Sequence, residues 1–341
     1  MSQDVLFDEQ GTLGIISLNA PKTLNSLTKD VCLEMASRLE RWAHDDKIQC
    51  ILLESTSERA LCAGGDVVSL YKSIKAQAQD HIDFFKCEYA LDLMIHEYQK
   101  PIVVLAHGIV MGGGIGITVG ASHRVVTETT LMAMPEITIG FFPDVGGSYF
   151  LNRMPNRLGR FLGLTGARMN ASDALYANMA DHFVPSSALK ELKDALISGV
   201  DPGRALDRLS KNSLGAPPPA RIEPMMPTID KLMDGQNILQ IKEGIERFET
   251  DDKWLQQSLA TFLSGSPTSM AVIFEQIERG KGMALADVFA MEKKMALNFG
   301  KNCDMPEGIR ALLIDKDKNP LWNPKNLEDV SPELIESHFS S

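Results

Sequence analysis

The stretch Ile102–Val126 constrains this chain most. It is the longest apolar run in the sequence, yet Gly108 and the triplet Gly112, Gly113 and Gly114 break it into pieces. Crossing a bilayer takes about 20 unbroken apolar residues, so the run has to be buried inside a protein core. It reads as a buried strand over Ile102–Ala106 that ends at His107 and Gly108. MGGGIGITVGA follows, in which glycines open a helix of small residues.

The same alternation recurs along the first half. Val5–Asp8 and Leu13–Leu18 read as strands joined by a turn at Gly11. Thr28 can cap a helix running to about Ala43, with Val31, Met35, Leu39 and Trp42 on one face. Cys50–Glu54 is a short buried strand, followed by a polar loop that ends in LCAGGD (Leu61–Asp66). Residues 67–98 read as mostly helical, and Arg124–Thr127 and Leu131–Ala133 as further strands. Residues 158–197 are again helical, apart from Gly166 and the strand-like His182–Pro185. Strands alternating with helices imply an α/β fold of repeated ββα units.

The clearest boundary is Asn212–Pro227, which contains Pro217, Pro218, Pro219, Pro224 and Pro227 and reads as a linker that cannot be a long helix. Beyond it Met270, Ile273, Phe274 and Ile277 follow a helical period, and Ser266 with Pro267 marks a helix start. The expected organisation is a core over residues 1–211, a linker over 212–227 and a helical region over 228–341.

Composition narrows the function classes. With 341 residues, 44% apolar and 23% charged, the chain can bury a large core. Its net charge of −11 argues against broad binding to nucleic acid or to an anionic membrane surface. Cys32, Cys50, Cys62, Cys87 and Cys303 are odd in number and lack a Cys-x-x-Cys spacing, as in a reducing compartment with neither disulfide framework nor zinc site. No basic-then-apolar leader is visible at the N-terminus. The expected location is cytoplasmic, or the mitochondrial matrix if a presequence was trimmed.

Familiar catalytic signatures are missing. The glycines at 112, 114 and 116 do not complete a dinucleotide-binding loop. There is no phosphate loop, no nucleophile elbow around Ser122, and no metal spacing among the seven histidines. Two glycine clusters and two acids remain. Ala63-Gly64-Gly65-Asp66 and Gly112-Gly113-Gly114 each follow a buried strand and open a helix, where backbone N–H groups are unpaired and glycine admits a ligand atom. Two such donors converging on one point would hold a negatively charged oxygen. Either cluster alone is accounted for by a tight turn or close helix packing; both together, beside the acids, point to function.

The acids lie in MPEITIGFFPDVGG, where Glu136 and Asp144 follow prolines among Met134, Ile139, Phe141 and Phe142. Apolar surroundings raise a carboxyl pKa and suit it to proton transfer near neutral pH. A cap at Asp144 for a helix beginning at Val145, and a solvated loop position for Glu136, account for the same residues. His107 reads as a packed residue and Cys62 as a small buried hydrophobe.

Taken together, LNAPKTLNSL (Leu18–Leu27), LCAGGD, QKPIVVLAHGIVMGGGIGI (Gln99–Ile117), MPEITIGFFPDVGG and ASDALYANMADHFV (Ala171–Val184) resemble the enoyl-CoA hydratase/isomerase, or crotonase, superfamily. The resemblance implies a crotonase-like spiral of ββα units in layered sheets flanked by helices, and an acyl-coenzyme A thioester as ligand. It assigns the oxyanion-holding amides to Gly65 and Gly113, and coenzyme A contacts to Lys22, Leu24, Ala63, Gly64 and Asp66. It implies homo-oligomers, usually formed through C-terminal helices, and neither a metal nor a redox cofactor.

Departures select the branch. Family hydratases carry one catalytic glutamate at the position of Gly116 and another at that of Glu136, and they usually have glycine at the position of Asp144. Glycine cannot move a proton, which disfavours enoyl hydration. A Glu136/Asp144 pair occurs in dienoyl-CoA isomerases, which keep an acid at the Gly116 position, and in the branch that hydrolyses 3-hydroxyisobutyryl-CoA in valine breakdown. FFPDVGG, FFKCEYALD, SPTS (Ser266–Ser269) and EGIRALLIDKDKNPLW (Glu307–Trp322) resemble the hydrolase branch, in which Glu88 aligns with a substrate-contacting glutamate. Without the resemblance Glu88 reads as a surface charge. The expected activity is thioester hydrolysis, with Glu136 as nucleophile or general base and Asp144 orienting the substrate hydroxyl or a water. An enoyl- or dienoyl-CoA isomerase or hydratase, and a non-catalytic acyl-CoA-binding protein, are the alternatives.

Overall fold

Why the strands of this chain lack alternation is answered by their neighbours. The computed structural model describes residues 3–212, 215–302 and 304–340; Cys303 and the part of the expected linker at 213–214 lie outside them. Its contacts divide the chain into two compact units, one of residues 1–65, 90–132 and 169–224, the other of residues 66–89, 133–168 and 225–341.

The first unit holds the sheets. Strands β1 (Val5–Gln10) and β2 (Leu13–Leu18) form an antiparallel hairpin in which Val5 pairs with Leu18 and Gln10 with Leu13. From β2 the sheet grows in parallel through β3 (Cys50–Ser55), β5 (Ile102–Ala106), β7 (His123–Val126) and β9 (His182–Phe183), while β4 (Ala60–Cys62), β6 (Ile109–Met111) and β8 (Leu131–Ala133) form a second sheet. Each later unit of the repeat thus gives one strand to the large sheet and the next to the small one. This is the expected ββα repeat, and only the three-residue strands β4 and β6 go beyond the sequence reading.

Parallel strands are buried on both faces, so they read as continuous apolar runs. On one face Leu13, Ile15, Leu52, Val103, Leu105 and Val125 pack on Leu192, Leu196, Leu206 and Leu209 of the helices Leu189–Ile197 and Pro202–Asn212. Ile16, Leu18, Leu53 and Val104, of opposite parity, are buried as well. The helix Lys29–Ala43 begins at Thr28, whose hydroxyl accepts the Val31 N–H at 3.3 Å. Its fully buried Trp42 covers Gly14, where a Cβ would come within 2.9 Å of the indole.

The second unit is helical. Helix Pro267–Gly280 is buried along most of its length and starts as expected, with the Ser266 hydroxyl accepting the Ser269 N–H at 3.0 Å. Phe85, Phe141, Phe142 and Phe299 form a ring cluster, with Phe85 stacked on Phe141 at 5.5 Å and Phe142 tilted against Phe299 at 5.3 Å.

Over the expected linker 212–227 the structure forms helix Ile222–Leu232, with Pro227 inside it and Met226 buried. Pro224 falls in the first turn, where an N–H has no intrahelical acceptor and its loss costs nothing. The start is fixed from a distance. The buried carboxylate of Asp173 accepts the N–H groups of Arg221 at 2.7 Å and Ile222 at 2.9 Å. Among the described residues of this stretch, 215–221 run without helix or strand before the helix begins.

Candidate active site

In the first unit the two glycine clusters are brought together. Gly64 has φ +107, and a Cβ on it would stand 3.1 Å from the Met111 carbonyl oxygen and 3.6 Å from the Gly113 nitrogen. A Cβ on Gly114 would stand 2.2 Å from the Cys62 carbonyl oxygen. Both approaches need glycine, so the spacing of LCAGGD and MGGGIG is a packing requirement between two loops. Gly113 is the first residue of helix Gly113–Val119, so its N–H is one of the donors that a helix leaves without an internal acceptor. Gly65 bridges to Leu27 and stands just before Asp66, which caps helix Val67–Lys75 by accepting the Ser69 N–H at 3.1 Å. Asp66 therefore has a structural role of its own.

The loop over 20–27 packs beside these glycines. Ala63 donates to the Leu24 carbonyl at 3.0 Å and Leu27 to the Gly64 carbonyl at 2.8 Å. Leu24 sits at φ +53, a conformation that a bulky L-residue holds only under outside constraint. That constraint is Asn25, a buried residue missed from sequence. Its side chain accepts the Ala20 N–H at 2.7 Å and donates to the Ser55 hydroxyl at 2.7 Å and the Leu61 carbonyl at 2.9 Å. Lys22, in the 3-10 turn Pro21–Thr23, is exposed.

In the second unit the acids converge. Glu136 opens a 3-10 turn over Glu136–Ile139, is 6% exposed, and has no hydrogen-bond partner at Oε2. Burial first, and the charge of Asp144 second, hold its pKa well above the ordinary glutamate range. Asp144 is buried too, and its Oδ2 accepts the Tyr89 hydroxyl hydrogen at 2.6 Å. Burial raises its pKa to about 7 against the lowering effect of the Tyr89 bond. Glu88, beside Tyr89 on helix Asp80–His96, is 2% exposed and is not a surface charge. The solvated position for Glu136 is likewise not what the structure shows, and the short helix near Asp144 begins at Gly147 with Gly146 as its cap.

Two further residues escaped the sequence reading. Glu292, on helix Leu285–Phe299, is fully buried, and its oxygens accept the N–H groups of Gly146 and Ser148 at 2.7 Å each. Burial pushes its pKa up to about 8, with the two backbone donors opposing the shift. Gln276 donates to the Pro143 carbonyl at 2.6 Å and the Ser148 hydroxyl at 2.9 Å. Between these anchors Val145 stands at φ +52, where a β-branched residue is strained by about 1–3 kcal/mol. Neither Glu292 nor Gln276 carries a local sequence signal, since each acts on a turn more than a hundred residues away.

Buried carboxyls whose pKa values burial raises, to about 7 for Asp144 and about 8 for Glu292, can exchange protons or attack an electrophile. The loop amides can stabilise a developing negative oxygen.

Known proteins match this chain over nearly its whole length. A family model described as enoyl-CoA hydratase/isomerase matches residues 13–339. Among curated relatives, the mitochondrial 3-hydroxyisobutyryl-CoA hydrolase of Danio rerio is 38% identical over 99% of this chain and 90% of its own. The Homo sapiens protein of the same name is 35% identical over 100% and 89%. Among solved structures, a carnitinyl-CoA dehydratase from Mycobacterium thermoresistibile superposes with a TM-score of 0.93 at 37% identity, covering 100% of this chain and 97% of the other. An enoyl-CoA hydratase from Rhodobacter sphaeroides gives 0.89 at 35% identity, covering 99% and 97%. The layered ββα architecture expected from sequence is thus the fold of these neighbours. The chain belongs to the enoyl-CoA hydratase/isomerase family.

Proposed function

We propose that this chain is a thioester hydrolase that converts 3-hydroxyisobutyryl-CoA to 3-hydroxyisobutyrate and coenzyme A. The observation that carries the reading is Glu136, a buried acid with an unpartnered oxygen and a raised pKa beside a second buried acid. Full-length relatives at 35–38% identity named for this reaction support it.

In this reading the amides of Gly65 and Gly113 hold the thioester oxygen and stabilise the oxyanion; one such donor is worth about 2.7–4 kcal/mol in the transition state. Glu136 attacks the carbonyl carbon and the C–S bond breaks, releasing coenzyme A thiolate that takes up a proton and leaving an anhydride that water then hydrolyses, or Glu136 takes a proton from a water whose attack on the same carbon expels that thiolate. Asp144 orients the 3-hydroxyl or that water, and Glu88 contacts the substrate. Lys22, Leu24, Ala63, Gly64 and Asp66 contact the coenzyme A portion. The thioester is already activated, so the reaction calls for no metal or redox cofactor.

The dehydratase and hydratase names of the structural neighbours favour a second reading, addition or loss of water at a double bond. It meets an obstacle at Gly116, a buried helical glycine with no side chain to move a proton. A panel of hydroxyacyl-, enoyl- and dienoyl-CoAs separates the readings. Hydrolysis releases a titratable thiol, hydration or isomerisation shifts absorbance without thiol, and a binding protein gives neither. The proposal fails if 3-hydroxyisobutyryl-CoA releases no thiol.

The relatives are named as mitochondrial, which supports the matrix option for location. Among the described residues no helix is long and apolar enough to cross a membrane.

A further inference from the structure

The turn that carries Asp144 adopts a shape its own residues resist. Val145 stands at φ +52 and Gly146 at φ +89, and no local side chain caps the short helix that follows. The shape is imposed by two helices of the C-terminal region. Gln276 donates to the carbonyl of Pro143, immediately before Asp144. Glu292 accepts the N–H of Gly146 through Oε2 and that of Ser148 through Oε1. The backbone on both sides of Asp144 and Val145 is thereby tied down. The Asp144 carboxyl, projecting from the tied segment, reaches the Tyr89 hydroxyl.

A fully buried acid is a costly way to close a turn, since its charged form is disfavoured there. What it supplies is a pair of acceptor oxygens on one rigid group, aimed at two N–H donors. Glutamine cannot replace it, because its amide has a single acceptor oxygen and would set an NH2 against one of the two donors. We propose that Glu292 is a positioning residue for Asp144: by gripping Gly146 and Ser148 it holds the strained turn that points the Asp144 carboxyl at its working place. Only the kinetic half of this proposal rests on the thioesterase reading; the geometric half stands without it.

The test compares Glu292→Gln and Glu292→Asp with the wild type, by crystal structure and by steady-state hydrolysis of 3-hydroxyisobutyryl-CoA. In Glu292→Gln the Asp144 carboxyl should leave the Tyr89 hydroxyl while the sheets and helices stay in place. Its kcat should fall about 10²-fold, the loss that a misplacement near 1 Å brings, with KM little changed. Glu292→Asp keeps two acceptor oxygens on a shorter stem and should recover part of both the geometry and the rate. If Glu292→Gln does not fold, the Asp variant alone decides, through the position of its Asp144. An unmoved Asp144–Tyr89 bond overturns the proposal, whether kcat is retained or lost. A wild type that releases no thiol sinks the thioesterase reading, and the crystallographic comparison still decides whether Glu292 positions Asp144.

Discussion

The hydroxyl of Tyr89 meets Oδ2 of Asp144 at 2.6 Å, with both residues buried. The bond favours the ionised carboxylate and works against burial, which favours the neutral acid. Removing the hydroxyl should therefore let burial prevail. In Tyr89→Phe, the proton of Asp144 should come off above the wild-type value of about 7. NMR titration of labelled aspartate reads this directly, and an unchanged or lower value contradicts the account.

Glu136, Asp144 and Glu292 make stability depend on pH in an uncommon direction. Each has a folded pKa above its unfolded value, near 4 for these acids, so the folded state holds more protons. Stability is then greatest below the unfolded pKa and declines as pH rises towards the folded values of about 7 for Asp144 and about 8 for Glu292. Each group contributes at most about 1.4 kcal/mol per pH unit over that window. Glu136→Gln removes one of them, so its loss of stability between pH 5 and pH 8 in urea unfolding should be shallower than that of the wild type.

Neutralising Asp144 should change the pH dependence of catalysis as well as its rate. The charge of Asp144 contributes to the raised pKa of Glu136. If the ionised form of Glu136 acts on substrate, Asp144→Asn should move the acidic limb of the kcat/KM profile to lower pH. It should also lower the maximal rate by about 10²-fold or more, as loss of a positioned acid–base group does. An unshifted limb would mean that the two carboxyls do not interact.

Gly114 tests the loop pair independently of the acids. A methyl group there would meet the Cys62 carbonyl oxygen at 2.2 Å, a backbone atom with no room to yield. Gly114→Ala should destabilise the protein by about 1–3 kcal/mol or more in thermal unfolding. A variant of wild-type stability and activity would show that the close approach is not required.

How much of this was legible from sequence depends on the range of each interaction. The strand Ile102–Ala106 and the helix from Thr28 are written locally, in an unbroken apolar run and in a capping hydroxyl followed by a helical period. The glycine clusters were legible as a pair because each carries its own strand–glycine–helix grammar. The helix Ile222–Leu232 was not, since its start is fixed by Asp173, 48 residues earlier in the chain from Arg221. Burial of Glu88 was hidden too, because a carboxylate in a sequence carries no mark of the side chains that fold around it, whereas that of Glu136 was one of two readings, suggested by Met134, Ile139, Phe141 and Phe142 close by in the chain. Glu292 is the extreme case: it lies on an ordinary helix, and only the fold brings it to the turn at Ser148, 144 residues away in the chain.

The assignment on which the proposed reaction most depends is Glu136 as the group that reacts with the thioester. It is tested most directly by the initial rate of thiol release from 3-hydroxyisobutyryl-CoA, measured for the wild type and Glu136→Gln at equal concentration of folded protein. The wild type should release thiol rapidly, and the variant at a rate about 10²–10⁴-fold lower. Release by Glu136→Gln at close to the wild-type rate would contradict it.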